Sequence, residues 1–289
     1  MNTLTTRIKR KMPEFSKGQR LIAKYIDEHY DTVAFMTASK LGATVGVSES
    51  TVVRFATEIG YAGYPELQRA MQEMIRSKMT SLQRLEMTAK AYDPTMVMEP
   101  VFNQDIEIIR RTMEETSRIA FNQATDAIAG AKKVYIIGAR SSSALATFLS
   151  YYFNLILDNV QLINVSNEAE MFEQMIRIGK EDAMIGISFP RYSRRAVKAL
   201  RFASSQGAKV VAITDSETSP IAESADCLLL ARSDMVSFVD SLVAPLSLIN
   251  ALIVSTAIKK KKEVEEVLTK LERIWDEYHV YEKVDEKIN

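Results

Sequence analysis

The chain has 289 residues, of which 47% are hydrophobic and 26% are charged. This length accommodates about two domains, and the composition is that of an ordinary globular protein. The length and the composition together exclude a wholly disordered chain, a collagen and a small disulfide-bonded scaffold. Cys227 is the single cysteine and the chain has two histidines. We therefore expect no intrachain disulfide and no all-protein zinc site. We also expect no bound cofactor.

Charge is distributed unevenly along the chain. Residues 1–78 contain 12 Lys/Arg and 8 Asp/Glu, a net charge of +4, whereas the remaining residues contain 25 and 29, a net charge of −4. A basic N-terminal part followed by an acidic remainder suggests an anionic partner for the N-terminal part. Ordinary fluctuation of composition is the alternative explanation.

Residues 1–78 are predicted to form a compact all-helical domain. Ser16 opens the sequence S-K-G-Q, a capping box that starts a helix. A second short helix is predicted over 37–41, followed by a turn over 42–47. Ser48 then caps a third helix that ends at Gly60, a residue suited to a left-handed C-cap. The third helix has apolar residues at helical spacing, which are predicted to face the core: Val52, Phe55, Ala56 and Ile59.

The second and third helices have the spacing of a helix-turn-helix, in which the third helix fits a DNA major groove about 12 Å wide. Small hydroxyl residues at its start allow close approach to DNA, and Arg54 can reach a phosphate or a guanine. We expect the DNA contacts to come from Thr37, Ser48, Glu49, Ser50, Thr51 and Arg54. A three-helix packing module that touches no nucleic acid is the alternative.

This part of the chain resembles the N-terminal domain of RpiR/MurR-type transcriptional regulators over roughly residues 1–78. It matches their pattern at Val47-Ser48, Thr51-Val52, Arg54-Phe55, Ile59-Gly60-Tyr61 and Gly63-Tyr64. The resemblance implies that Ser48 to Arg54 open a recognition helix, and that double-stranded operator DNA is a partner.

A linker over 79–104, broken by two prolines, is predicted to join this domain to a second one over 105–289. One helix over 104–129 is expected to lead into the second domain. Five continuous apolar runs then alternate with helices, which is typical of a parallel sheet covered on both faces. The predicted strands are 134–138, 161–165, 183–188, 209–214 and 227–231. The expected fold class is therefore an all-α helix-turn-helix domain followed by an α/β domain with a five-stranded parallel sheet.

Two strand-to-helix turns of this sheet combine hydroxyl side chains with arginine. Such sheets bind ligands at the carboxyl ends of their strands, where helix N-termini stabilise anions and guanidinium groups fork onto phosphate. We expect a small phosphorylated or carboxylated molecule to bind Gly138, Arg140, Ser141, Ser142, Ser143, Ser188, Arg191 and Ser193. The alternative is that the serines only cap helices. Gly138 alone does not make a G-x-G-x-x-G fingerprint, which argues against NAD.

Residues 105–260 resemble a sugar-isomerase (SIS) domain, which RpiR-type regulators carry behind their helix-turn-helix. The first SIS pattern falls on Gly138, Arg140, Ser142 and Ala146. In it Arg140 replaces a glycine, and in the second pattern Pro190 replaces a serine, Arg191 replaces a glycine and Ser193 stands for a threonine. The resemblance implies that a sugar phosphate is held by Ser142, Ser188 and Ser193.

Catalysis is not expected. Isomerisation of a sugar needs a base beside the carbonyl, usually Glu or His, and the histidines lie in the helical domain and near the C-terminus. Three glutamates could approach a ligand, although a solvated helix face is the favoured explanation for them: Glu168, Glu170 and Glu173. Cys227 heads an apolar strand, which argues against a covalent nucleophile.

A long apolar helix over 238–258 and an amphipathic segment over 264–278 are predicted to cover the sheet or to contact another subunit. Polar residues and a proline interrupt the apolar helix, and the N-terminus lacks a signal-peptide core. We therefore expect a cytoplasmic protein that does not enter a membrane.

The sequence thus predicts a homodimeric or homotetrameric transcriptional regulator of sugar-metabolism genes, controlled by a phosphorylated sugar. A phosphosugar isomerase with a helical appendage is the alternative. A scaffold that only oligomerises would leave both hydroxyl-rich turns unexplained.

Overall fold

The computed structural model of the protein describes residues 4–34, 36–68, 70–71, 80–164, 167–234 and 239–282. Its contacts divide the chain into two compact units, and the division falls between Met96 and Val97. The first unit is helical, with α1 (Leu4–Lys11), α2 (Lys17–Val33), α3 (Ala38–Val45), α4 (Glu49–Glu58) and α5 (Ser81–Ala91).

The capping box at the start of α2 is confirmed. The Gln19 N–H donates to Ser16 Oγ at 3.4 Å, and the Ser16 N–H donates to Gln19 Oε1 at 2.9 Å. A second capping box, between Thr80 and Gln83, starts α5 inside the segment predicted as a linker. The sequence does not predict α1, because only two apolar residues mark its buried side: Leu4 and Ile8.

The predicted turn over 42–47 begins too early. Helix α3 continues to Val45, and the chain turns at Gly46, which has φ +79°. Gly42 lies inside the helix, where a Cβ atom would be 2.8 Å from the Val47 carbonyl oxygen. Glycine at this position therefore permits the close approach of the following turn, and it does not end the helix.

The single helix predicted over 104–129 is also wrong. The second unit begins with two helices, α6 (Met98–Glu115) and α7 (Arg118–Gly130). Ser117 separates them, because its Oγ accepts a hydrogen bond from the Ala120 N–H at 3.3 Å and so caps a new helix. Pro100 does not interrupt α6, since it lies in the first turn, where backbone N–H groups need no helical partner.

The predicted five-stranded parallel sheet is confirmed. Its strands are β1 (Val134–Gly138), β2 (Val160–Ile163), β3 (Ala183–Ile187), β4 (Lys209–Thr214) and β5 (Cys227–Leu230). They lie in the order β2-β1-β3-β4-β5, and every neighbouring pair is parallel. The connecting and C-terminal helices are α8 (Ser142–Ile156), α9 (Glu168–Met175), α10 (Arg194–Ser205), α11 (Val243–Lys259) and α12 (Lys261–Glu277).

Helices cover both faces of the sheet, as the continuous apolar strands predict. Successive strand residues point to opposite faces, so Ile136 and Ile185 pack in the core beneath α7, α8 and α11, whereas Tyr135 and Met184 pack beneath α9 and α10. No single helix in the described part of the chain is long and apolar enough to cross a membrane. Helices α11 and α12 meet that length and composition only as a pair bent by 99°.

Candidate functional site

Helix α4 of the first unit has both ends fixed by its own sequence. Ser48 is its N-cap, since Ser48 Oγ accepts a hydrogen bond from the Thr51 N–H at 3.3 Å. At the other end Gly60 has φ +90°, and the Tyr61 N–H donates to the Ala56 carbonyl at 3.1 Å, as in a Schellman motif. Both predicted caps are therefore confirmed.

The predicted inward face of α4 is confirmed as well. Its members are fully or almost fully buried: Val52, Phe55, Ala56 and Ile59. The Phe55 ring packs against the Phe15 ring with 5.2 Å between centroids. This packing orients the opposite face of α4 towards solvent.

The residues predicted to contact DNA are accessible. Ser48, Glu49, Ser50 and Arg54 are exposed on α4 and Thr51 is half-buried. Thr37 is also exposed, and it caps α3 by accepting a hydrogen bond from the Lys40 N–H at 3.1 Å. The contact of these residues with DNA stays a prediction.

Three hydroxyl groups cluster at the N-terminus of α4. Ser48 Oγ lies 2.9 Å from Ser50 Oγ and 2.8 Å from Thr51 Oγ1. The Arg54 side chain lies back along the helix, where its Nε donates to the Ser50 carbonyl at 3.3 Å. Short polar side chains with an arginine one turn later are suited to bind a phosphate backbone and base edges.

Arg7 supports α4 in a way that the sequence did not reveal. Its guanidinium donates to the Gly60 carbonyl at 3.3 Å and lies 5.0 Å from the centroid of the Tyr61 ring. These contacts connect α1 to the C-terminal turn of α4. Because α1 itself is not predicted, no sequence signal pointed to this contact.

The two hydroxyl-rich turns of the second unit follow adjacent strands. β1 and β3 are neighbours, and Gly138 pairs with Ile187 at their carboxyl ends. β1 is followed along the chain by β2 on one side, and β3 is followed by β4 on the other side. The turns 138–143 and 188–195 therefore flank the topological switch point, where open α/β sheets bind ligands.

Gly138 allows α8 to pack closely on the end of β1. A Cβ atom at this position would lie 2.3 Å from the Ser142 carbonyl oxygen and 2.9 Å from Ala146 Cβ. The glycine thus has a packing role at the turn, in addition to its predicted place at the ligand.

The serines of the 138–143 turn differ in what they bind. Ser143 Oγ donates to the Arg140 carbonyl at 2.6 Å, and Ser141 is exposed and makes no capping hydrogen bond in this fully described stretch. Ser142 is 4% exposed, and its hydroxyl makes no hydrogen bond to any residue that the structure describes. Helix capping therefore does not explain Ser142, and its hydroxyl can donate to a ligand.

The 188–195 turn is fixed by its own hydroxyl groups. Ser188 is 3% exposed, and its Oγ accepts a hydrogen bond from the Ser193 N–H at 3.2 Å. Ser193 caps α10 by accepting from the Ala196 N–H at 3.5 Å. Tyr192 Oη donates to Asp215 Oδ1 at 2.9 Å, which ties the turn to the end of β4. The sequence did not reveal this last contact.

Two of the glutamates considered for catalysis lie at the protein surface. Glu168 forms a 2.5 Å ion pair with Lys198 at the protein surface, and Glu173 is exposed. Burial, and then the nearby Asp226 carboxylate, raise the pKa of the Cys227 thiol, so this cysteine stays protonated and is a poor nucleophile.

Comparisons with known proteins agree with this two-unit architecture. The model of the rpiR-family helix-turn-helix domain matches residues 1–78, and the SIS domain model matches residues 127–255. An uncharacterised HTH-type transcriptional regulator of Caldanaerobacter subterraneus subsp. tengcongensis is 26% identical over 86% of this chain and 89% of the relative.

Solved structures give the same assignment. The sugar isomerase domain of an RpiR transcription factor from Sphaerobacter thermophilus is 30% identical, with a TM-score of 0.57 over 60% of this chain and 97% of that one. The Vibrio vulnificus NanR protein complexed with ManNAc-6P shares the fold at 20% identity, with a TM-score of 0.56 over 96% of this chain and 99% of that one. The chain therefore belongs to the rpiR family of helix-turn-helix transcriptional regulators.

Proposed function

We propose that the protein binds operator DNA through its first unit and a phosphorylated sugar through its second unit, and that the sugar controls transcription of sugar-metabolism genes. The observation that carries the effector site is that Ser142, at the switch point of the sheet, makes no described hydrogen bond through its hydroxyl, whose oxygen keeps some exposure to solvent.

The DNA-binding part of the proposal comprises residues 1–78, followed by a connection over 79–104 and a sensing domain over 105–289. Helix α4 enters the major groove with its capped N-terminus, and the contacts come from Thr37, Ser48, Glu49, Ser50, Thr51 and Arg54. A homodimer or homotetramer binds a two-fold symmetric operator, whose half-sites lie about one helical turn or a multiple of it apart.

The effector part of the proposal uses the N-termini of α8 and α10. Their outward N–H groups and the hydroxyls of Ser142, Ser188 and Ser193 hold the phosphate, and Gly138, Arg140, Ser141, Ser143 and Arg191 complete the site. The likeness to NanR, which was solved with ManNAc-6P, supports a phosphorylated sugar as the ligand.

The protein acts as a regulator and not as an isomerase in this proposal. Glu168 is held in an exposed ion pair with Lys198, and the relative from Caldanaerobacter is described as a transcriptional regulator. Incubation of the purified chain with aldose and ketose phosphates should leave their ratio unchanged. Enzymatic interconversion of any pair would favour the isomerase alternative.

Ser142→Ala tests the effector site directly. The operator is first selected from random duplex DNA with the wild-type chain, and the phosphosugar with the largest effect on operator affinity is then identified. The variant should bind the operator normally and should need about tenfold more phosphosugar for the same effect, because one hydrogen bond to a charged group is lost.

The matched control for Ser142→Ala is Ser205→Ala. Ser205 lies at the C-terminal end of α10, where its hydroxyl donates to the Phe202 carbonyl at 2.7 Å. This control should respond like the wild type. A normal response of Ser142→Ala would place the effector elsewhere.

A further inference from the structure

Helix α12 carries an apolar seam that the rest of the chain leaves partly open. Apolar residues along the helix and at its C-cap alternate three and four positions apart, the spacing of helices that pair along their length: Val264, Val267, Leu271, Ile274 and Tyr278. No residue of this fully described helix is buried, and of the seam residues only Val264 packs against the core of the sheet. Covering the sheet therefore does not account for the seam.

The seam is most exposed towards the C-terminal end of α12. Ile274 is 37% exposed and Tyr278 is 71% exposed. Beyond the helix, the exposed Tyr281 packs its ring edge-on against Trp275, with 5.4 Å between the centroids. Residues three and four positions apart are neighbours on a helix, so this apolar surface is continuous. Continuous apolar surface with a charged rim marks a site where another protein packs.

The charges beside the seam indicate which partner fits it. Lys270 and Glu277 each precede a seam residue by one position, so they lie on the same flank of the helix. Neither side chain makes an ion pair or hydrogen bond with any residue that the structure describes. Lys261, at the start of the helix, in contrast pairs with Glu265 at 3.5 Å. The flank thus offers a cation and an anion to a helix that carries the same charges in reverse order, as an antiparallel copy of α12 does.

We propose that α12 pairs antiparallel with α12 of a second copy of the chain. One register sets the pairing, in which Leu271 of each copy lies opposite Ile274 of the other. Val267 then lies opposite Tyr278, and the exposed apolar residues of both seams are buried. A two-fold axis makes each of these contacts occur twice. The inference rests on the homo-oligomer of the proposed function and names the surface through which two copies meet.

The same register brings Lys270 of each copy beside Glu277 of the other, because residues on this flank face each other in an antiparallel pair. The two-fold axis therefore creates two ion pairs across the contact. On the other flank Leu268 meets Trp275, so that side of the contact is apolar. A parallel pair would set Lys270 beside Trp275 and would form neither ion pair.

Charge-reversal variants test this register by sedimentation equilibrium of the full chain at low salt, where surface ion pairs are least screened. Lys270→Glu and Glu277→Lys each replace two attractions by two repulsions in the dimer. Each variant should dissociate at a protein concentration at least about tenfold higher than the wild type. An equimolar mixture of the two variants should associate like the wild type, because in the mixed pair every glutamate again faces a lysine.

Lys262→Glu and Glu266→Lys are the matched controls, because they change the net charge equally and lie outside the seam and its flanks. Both control variants should associate like the wild type. Circular dichroism should give the same helix content for all four variants, since every substituted side chain is exposed on α12.

The outcomes separate this inference from the proposed function. Association that neither charge reversal weakens, or that the mixture of variants does not restore, would place the subunit contact elsewhere and would overturn the inference while leaving the proposed homo-oligomer intact. A wild-type chain that stays monomeric at its highest soluble concentration would overturn both the inference and the homo-oligomer. The effector response of Ser142→Ala is measured separately and does not depend on either result.

Discussion

Serine begins a helix in both units, with different consequences. Ser48 is exposed, has extended dihedral angles and caps α4 by accepting from the Thr51 N–H. Ser142 is buried at the start of α8, follows Arg140 in a left-handed conformation, and makes no described hydrogen bond. The hydroxyl of the first serine caps its own helix, and the hydroxyl of the second has no described partner.

This difference shows where strain is placed in the molecule. The candidate DNA-binding surface is built from relaxed elements, namely an N-cap and a glycine C-cap. The candidate effector site combines an unpaired hydroxyl with disfavoured left-handed conformations of Arg140 and Arg191, and such features concentrate at ligand sites. We expect substitutions in the first unit to affect either its stability or its DNA binding. A substitution at the effector turns can affect the stability of the second unit and its ligand binding together.

Phe55→Ala is expected to have the largest effect on stability, because it leaves a cavity in the core that orients α4. The Phe55 ring is fully buried against Phe15, and the free energy of unfolding of the first unit should fall by about 3–5 kcal/mol. Val53→Ala on the same helix is the control, since Val53 is 38% exposed and should change stability little. Denaturant titrations followed by circular dichroism measure both, and equal effects would contradict the assigned faces of α4.

Gly138→Ala should destabilise the second unit by about 1–3 kcal/mol. Its Cβ would contact the α8 backbone at 2.3 Å, so the helix must shift and the effector turn with it. Gly130→Ala is the control, because no atom lies within 4 Å of a Cβ there. Thermal unfolding compares the two variants, and a Gly138→Ala protein as stable as the control would refute the close packing of α8.

Arg54→Ala should weaken operator binding by about 1–3 kcal/mol without changing the stability of the first unit. If Arg54 contacts a phosphate, the slope of log affinity against log salt should also fall by about one. Lys24→Ala serves as the control, since Lys24 pairs on the surface with Glu28 at 3.8 Å. Unchanged operator affinity of Arg54→Ala would remove the recognition role of α4.

Tyr64→Phe should have the smallest effect, a loss of about 1 kcal/mol in stability. Tyr64 Oη donates to the Met36 carbonyl at 2.9 Å, and burial raises the pKa of Tyr64 to about 12 from 10.0. A raised pKa means that the folded state holds the proton more tightly. The stabilising contribution of the protonated Tyr64 hydroxyl is therefore complete below pH 10.0 and is lost as the pH rises through about 12. The free energies of unfolding of the wild type and of Tyr64→Phe, measured by chemical denaturation across this range, should approach each other as the pH rises. A constant difference would contradict the buried hydrogen bond of Tyr64.

The sequence predicts most of the second unit's sheet, because each strand is a continuous apolar run that needs cover on both faces. It predicts the caps at Ser16 and Ser48 for a similar reason, since capping chemistry depends on the local sequence. The sequence does not predict the break at Ser117, because apolar periodicity continues across it, and it does not predict α1, because the buried side of this helix has only two apolar residues.

The candidate sites were predictable in residue type and not in geometry. Hydroxyls and arginines after two strands indicated an anion site. Their sequence could not show that Ser143 binds the Arg140 carbonyl, that the Ser142 hydroxyl has no described partner, or that both arginines have positive φ. These properties depend on how α8 and α10 pack against the sheet.

Reciprocal titration of the full chain with operator and phosphosugar tests whether the DNA site and the effector site are coupled. Operator affinity is measured without and with saturating phosphosugar, and phosphosugar affinity is measured without and with saturating operator. We predict that both affinities change by the same factor, because the two sites share one coupling free energy. Operator and phosphosugar that each bind with an affinity unaffected by the other would contradict it.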